Sequence, residues 1–316
     1  MTARTFGRVA EAQELQVDAL TGGEVRSSGL NRTASLYLAL CKPRIGAMVV
    51  VSTAIGFILA SGGAVRLDLL SYTLFGTFLS VAGSACLNNY LERDSDKAMK
   101  RTARRPLPSG LVSAAHVLGV GTLLVLVGVS LLVVKVNLLC GFLALLSSFL
   151  YVLVYTPLKK ITWLNTCIGA IPGALPPMGG WAAATGSVDL GAWILFAILF
   201  FWQHPHFYAI AWLYRDDYNR AGFKMLPAME GKLERALLQS VLFSLLLVAT
   251  AVLPTAFHMA GEVYLVGSMA VGLFFLYACA QFARHGDDVS ARKLLHASLI
   301  YLPIVLLLVV VDAQWV

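Results

Sequence analysis

Nine apolar stretches, each about as long as a bilayer-crossing helix, constrain this chain more than any other feature. They lie near residues 44–61, 69–91, 113–134, 138–155, 163–184, 190–213, 235–254, 262–282 and 296–312, separated by short polar connections. In lipid no water is available to backbone N–H and C=O groups. Serial stretches of this length are therefore stable only as helices that satisfy those groups internally. The expected fold class is all-α, a polytopic membrane protein of nine transmembrane helices. Only 13% of the 316 residues are charged, and the mean hydropathy is +0.76, which excludes a pair of soluble domains.

The formal charge of +7 would suggest a nucleic-acid partner in a soluble protein. Here the cations sit between apolar stretches, so membrane topology explains them and no nucleic acid is expected. Counting alternate connections, nineteen Lys and Arg collect on one side, whereas only Arg66 and Lys135 fall on the other. The positive-inside rule then puts the N-terminus in the cytoplasm and the C-terminus outside, periplasmic or extracellular. Residues 1–30 mix Arg4, Arg8 and Arg26 with Glu11, Glu14, Asp18 and Glu24 and lack an apolar core. They read as a mobile tail rather than a cleaved signal or an acid-poor transit peptide. This favours a bacterial cytoplasmic (inner) membrane, with residues 31–316 as one transmembrane domain. The five cysteines show no CxxC spacing and read as reduced packing residues.

The chemistry is expected where the second stretch runs into a basic segment, at Asn88-Asn89-Tyr90-Leu91-Glu92-Arg93-Asp94-Ser95-Asp96-Lys97. If this segment is helical, Asn88, Glu92 and Asp96 drift only about 40° per step and share one face along roughly 12 Å of axis. That is a one-sided stripe of hard oxygen ligands at a membrane edge. The same topology brings Asn88–Pro106, Tyr155–Lys160 and Tyr214–Pro227 to one face. A plain topogenic loop needs Lys and Arg but not Glu92, Asp94, Asp96, Asp216 and Asp217 at the span ends. Leu91–Asp96 is echoed by Leu213–Tyr218, as in a bundle of two related halves, and a secondary transporter shares that feature. Against a transporter, the acids gather at one edge rather than at the midplane. In the fifth stretch Gly173, Pro176, Pro177 and Gly179 predict a break or bend and close helix packing. Pro205 predicts a kink in the sixth.

These motifs together resemble the UbiA superfamily of intramembrane prenyltransferases, and within it the branch that farnesylates protohaem. Asn88-xxx-Glu92-xxx-Asp96 is similar to the superfamily's NxxxDxxxD box, with Glu92 in place of its first Asp. Further resembling pieces are Lys42-Pro43-Arg44, Met99–Thr102, Arg105–Gly110, Tyr155–Lys160 and Gly173–Trp181. Trp202-Gln203-His204-Pro205-His206-Phe207, continuing to Tyr214–Tyr218 and Ala221–Pro227, suggests the haem branch. The superfamily's second box, DxxxD, has Tyr214 and Tyr218 at the matching positions here, which leaves Asp216 and Asp217 as the only acids.

The resemblance implies a bundle with a central cavity open to the cytoplasmic side. It implies farnesyl transfer from farnesyl diphosphate to a vinyl carbon of haem B, with water added, giving haem O. Mg²⁺ is the expected cofactor, held by Asn88, Glu92 and Asp96, with Asp216 and Asp217 as further candidates, because it binds carboxylates together with substrate phosphates. Arg101, Arg105, Lys159 and Lys160, with Lys42 and Arg44 behind them, are candidates for the diphosphate. Haem is expected near His206, His204, Tyr214, Tyr218 and Arg215; haem B is a substrate here, not a bound cofactor. Membrane lipid surrounds the protein, and haem A synthase or oxidase assembly factors are the partners such a product would imply. The alternative within the superfamily is prenylation of an aromatic such as 4-hydroxybenzoate.

Overall fold

The computed structural model describes residues 29–314, with side chains from residue 34 onward. The tail expected over residues 1–30 lies outside the described residues, except for the first two residues of helix α1 (Gly29–Leu40). Leu38–Val316 forms one compact unit. The five cysteines are free thiols.

Among the described residues, eight helices are long and apolar enough to cross a membrane. They are α2 (Pro43–Ala60), α3 (Leu67–Ala98), α4 (Ala114–Lys135), α5 (Leu138–Ile161), α7 (Leu190–Leu213), α9 (Leu233–Ala256), α10 (Glu262–His285) and α11 (Asp288–Val311). The remaining expected stretch is α6 (Asn165–Thr185), which is less apolar for a physical reason. It packs against α2, α5 and α7, so protein rather than lipid covers it, and it tolerates Pro172, Pro176 and Pro177. The protein is thus an all-helical, multi-pass membrane protein. Its other helices turn large apolar side chains such as Leu123, Phe142, Leu238 and Val266 outward, where a bilayer would meet them.

No break appears in α6, contrary to one expectation from its prolines. A neighbouring side chain serves the carbonyl that Pro176 leaves without its helical donor: Ser147 Oγ donates to the Pro172 carbonyl at 3.1 Å. The helix α7 likewise continues through Pro205. Close packing is realised at two glycines. A Cβ on Gly56 would collide with the Pro177 carbonyl, and one on Gly180 with the Thr53 carbonyl, so the α2 and α6 backbones touch there. Gly180→Val is therefore expected to destabilise the bundle on the order of 3 kcal/mol, read as a lowered midpoint of thermal unfolding in detergent. A variant as stable as the parent would refute the tight seam.

Helix α3 is the element that carries the site. At 32 residues it is about 48 Å long, well beyond a hydrocarbon layer of about 30 Å, so its last turns emerge from the apolar zone still helical. Deeper in, Ser84 and Ser148 share a hydrogen bond at 2.9 Å, as do Ser80 and Ser148, fixing α3 against α5 inside the apolar layer. The two echoing segments differ in conformation. Leu91–Asp96 is continuous helix, whereas α7 ends at Leu213 and a short helix α8 (Arg215–Arg220) starts after Tyr214.

Candidate active site

The helical register of α3 sorts its acids into two kinds. Asn88, Glu92 and Asp96 are buried, whereas Asp94, half a turn away, is exposed and meets Arg93 and Lys97 at the surface. The expected stripe is real, and each member faces a different cation. Lys42 Nζ donates to Asn88 Oδ1 at 2.7 Å, Lys159 Nζ to Glu92 Oε1 at 2.6 Å, and Arg105 Nη1 to Asp96 Oδ2 at 2.9 Å. Three segments distant in sequence thus converge on one helix face.

Each cation arrives by a distinct local device. Lys42 sits at the N-cap of α2 in the left-handed region, at φ 49°, just before Pro43. That conformation costs a non-glycine residue about 1–2 kcal/mol, and the residue before proline is restricted as well. Strain of this kind marks functional positions, and here it aims the ammonium at Asn88. Burial pulls the Lys42 ammonium down to about 7, repulsion by Arg105 and Lys159 adds to the fall, and Glu92 and Asp96 oppose it.

Lys159 is delivered by a π-helical turn over Leu150–Tyr155 inside α5. One extra residue in that turn rotates the remainder of the helix by roughly 100°, and such turns recur at functional sites. Thr156 Oγ1 donates to the Tyr151 carbonyl five residues back and accepts from Asn88 Nδ2 at 3.0 Å. The Lys159 ammonium lies 4.6 Å from the Tyr155 ring centroid and 5.6 Å from that of Phe223, and Tyr151 stacks on Tyr155 at 5.8 Å. Arg105 comes from the loop after α3, folded back by Thr102 Oγ1 on the Asp96 carbonyl at 2.9 Å.

The remaining candidates fall into different surroundings. Asp217 is buried, accepts the Lys100 and Arg101 backbone N–H groups at 3.2 Å each, and pairs with Arg220. It ties α8 to the loop that carries Arg105. Asp216, Arg44, Lys160 and Arg101 are exposed, and the Arg101 guanidinium stacks 5.0 Å from the Tyr214 ring. Tyr218 packs beside Phe223, while Arg215 pairs with Asp288 of α11 at 2.8 Å. His204 is fully buried between α7 and α9, its Nδ1 on the Phe200 carbonyl at 2.8 Å and its ring 3.7 Å from that of Phe243; its Nε2 has no hydrogen-bond partner among the described residues. His206 turns to α11, with Nδ1 on Ser298 Oγ at 2.7 Å and its ring stacked on Trp202. The two histidines therefore serve different interfaces.

Sequence reasoning named the segment Ala221–Pro227 but assigned its residues no role. Lys224 N–H donates to the Lys159 carbonyl at 2.6 Å and Asn165 Nδ2 to the Lys224 carbonyl at 2.8 Å, which seats Phe223 against the Lys159 ammonium. Thr156 was also missed, although its motif was seen. Replacing Asp217 with Ala should free the 99–106 loop. Trypsin cleavage after Lys100, Arg101 or Arg104 should then speed up on the order of tenfold under native conditions. Unchanged cleavage would show that the carboxylate does not hold the loop.

The donor set fits a hard divalent cation. Asp96 Oδ1 is fully buried and has no hydrogen-bond partner among the described residues, and it belongs to a pair of carboxylates with an amide oxygen in line. Among the described residues no three His, Cys, Asp or Glu side chains could hold a metal by themselves. Two carboxylates suit an ion that takes its other ligands from water and phosphate.

Fold and site together define an intramembrane protein of spanning helices that gathers two buried carboxylates, an amide and three cations at one end of its bundle. Residues 49–302 match the UbiA prenyltransferase family. Two proteins named protoheme IX farnesyltransferase are similar along most of the chain. The one from Solibacter usitatus is 41% identical over 87% of this chain and 98% of its own length. The one from Salinibacter ruber is 43% identical over the same shares. Among solved structures, a digeranylgeranylglyceryl phosphate synthase superposes with TM-score 0.76 at 20% identity, covering 90% of this chain and 99% of that one. A UbiA homologue from Archaeoglobus fulgidus bound to DMAPP and Mg²⁺ superposes with TM-score 0.65 at 17% identity, over 86% and 98%. The chain belongs to the UbiA prenyltransferase family.

Proposed function

We propose that this chain is a protohaem IX farnesyltransferase. It transfers a farnesyl group from farnesyl diphosphate to a vinyl group of haem B, with addition of water, to give haem O and diphosphate for haem-copper oxidases. The transfer chemistry is carried by one arrangement: three oxygen-bearing residues on one face of α3, each met by a basic side chain from a different segment. The choice of haem as acceptor is supported by the relatives named protoheme IX farnesyltransferase.

Breaking the allylic C–O bond leaves an allylic cation and a diphosphate, and the chain must hold both. Lys42, Lys159 and Arg105 can release their present partners and grip phosphate oxygens as charge develops on the leaving group. Asn88, Glu92 and Asp96 would hold Mg²⁺, which supplies Lewis-acid neutralisation of the diphosphate. Tyr155 and Phe223 present ring faces to a cation where Lys159 now lies, with Tyr151 stacked on Tyr155. The vinyl π electrons then form the new C–C bond, and water adds to the resulting cation beside the porphyrin with loss of a proton. His204, His206, Tyr214, Tyr218 and Arg215 are the candidates for the haem side of the site, which deploys them at several interfaces rather than as one ligand set. The prenyl chain would remain among the apolar faces.

The basic ends would face the cytoplasm of a bacterial inner membrane, with the C-terminus outside. The product would pass to haem A synthase or to oxidase assembly. The test is conversion. Purified protein with Mg²⁺, farnesyl diphosphate and haem B is expected to give haem O by mass-resolved chromatography, and none when Mg²⁺ is chelated. Prenylation of 4-hydroxybenzoate instead of haem would move the chain to the aromatic branch, and solute flux in proteoliposomes without product would make it a transporter.

A further inference from the structure

We propose that Cys41 and Cys86 are a site of reversible oxidation, and that the disulfide they form withdraws Lys42 from Asn88 and slows the enzyme. The effect on turnover rests on the proposed transfer chemistry; the thiol chemistry stands apart from it. The two Sγ atoms lie 3.9 Å apart, in contact although 45 positions separate them in the sequence. Cys140, Cys167 and Cys279 are set on α5, α6 and α10, and among the described residues none of them meets a second thiol. Cys41 is half-buried in the turn between α1 and α2, where a small oxidant can reach it. Cys86 is fully buried on α3 behind it, so the sulfur within its reach is that of Cys41.

The oxidant is a peroxide. The Cys41 sulfur attacks one peroxide oxygen, the O–O bond breaks, and Cys41 becomes a sulfenic acid as water leaves. The Cys86 sulfur then attacks Cys41 Sγ: the S–S bond forms, the S–O bond breaks, and the hydroxyl departs with the Cys86 proton as a second water. Two electrons pass from the thiols to the peroxide, and a dithiol reductant returns them. Closing the contact to a bond of about 2.05 Å draws the sulfurs together by about 1.9 Å. Moving Cys86 would open the seam between α3 and α4, where a Cβ on Gly121 would lie 3.1 Å from Cys86 Cβ. The turn yields instead, because Cys41 and Lys42 lie outside any helix. The Leu40 carbonyl is tied to Asn89 Nδ2 at 2.9 Å and serves as the pivot. Lys42, at φ 49°, and the ring of Pro43 leave little torsional slack, so residues 41–43 shift together. The Lys42 ammonium, 2.7 Å from Asn88 Oδ1, is thereby carried beyond hydrogen-bond reach. In a reducing cytoplasm such a pair is closed only transiently, as redox-sensing thiols are.

The experiment uses the full chain in lipid nanodiscs, treated with hydrogen peroxide that catalase removes before any substrate is added. Peptide mapping is expected to find the segments carrying Cys41 and Cys86 joined, two hydrogen masses lighter than the dithiol pair and separable by dithiothreitol. Acetylation of Lys42, read by mass, should run about tenfold faster in the oxidised protein, its ammonium no longer donating to Asn88. Turnover of farnesyl diphosphate and haem B should fall roughly 10- to 100-fold and return with dithiothreitol. Cys41→Ser, and Cys86→Ala as a second variant, should keep turnover within about twofold of the parent both before and after peroxide. Absence of the 41–86 linkage overturns the proposal, as does a linkage that changes neither Lys42 acetylation nor turnover, or a loss of turnover that persists in Cys41→Ser. If the reduced protein makes no haem O, the transfer reading fails, and linkage and acetylation still decide for or against the thiol switch.

Discussion

Asp96→Asn, or Glu92→Gln, is expected to lower haem O formation by on the order of 1,000-fold. Either change removes one of only two buried carboxylates on the α3 face while keeping its shape. The amide can still accept a hydrogen bond from Arg105 or Lys159, so the loop and α5 keep their contacts. What is lost is the negative charge that would balance a divalent ion beside a diphosphate. Turnover of farnesyl diphosphate and haem B at saturating Mg²⁺ measures the effect, with Asp94→Asn as the control. Asp94 lies on the same helix but is exposed, and its substitution should leave turnover within about twofold. If Asp96→Asn kept more than a tenth of parental turnover, the stripe would not be the seat of the reaction.

The second large effect concerns stability. Lys159→Met should destabilise the protein by about 3–5 kcal/mol, because Glu92 would keep a buried charge with no partner at 2.6 Å. The double variant Glu92→Gln/Lys159→Met removes both charges and should recover most of that loss, since a buried pair replaced as a whole is close to neutral. Its turnover should stay at the floor. Thermal unfolding in detergent, read alongside the conversion assay, separates the two quantities. A double variant no more stable than Lys159→Met would mean that the pair is not coupled as its geometry implies. Recovered turnover in the double variant would mean that the charges serve the fold alone.

Residues along α3 show how far sequence reaches. Four-residue spacing puts Asn88, Glu92 and Asp96 on one face of any helix, and the same periodicity turns Asp94 away, so both facts come from 3.6 residues per turn. The identity of each partner does not. Lys159 reaches Glu92 only because a π-helical turn adds a residue before Tyr155, and nothing in Leu150–Tyr155 announces it. Asp216 and Asp217 are neighbours of the same type. One is exposed and the other holds a loop more than a hundred residues earlier, a difference set by which face of a six-residue helix meets Lys100 and Arg101. His204 and His206 likewise separate to α9 and α11 through packing that no local pattern encodes.

Apolar length, charge placement and helical period are local properties, and from them alone the chain is an all-helical membrane protein with its charged groups collected at the span ends. Which cation closes on which oxygen is a property of surfaces brought together from distant segments. It was decided by the π turn in α5, the left-handed Lys42 before α2 and the loop held by Asp217, because hydrogen-bonded pairs in a buried cluster depend on positions to within fractions of an ångström that one-dimensional spacing does not carry.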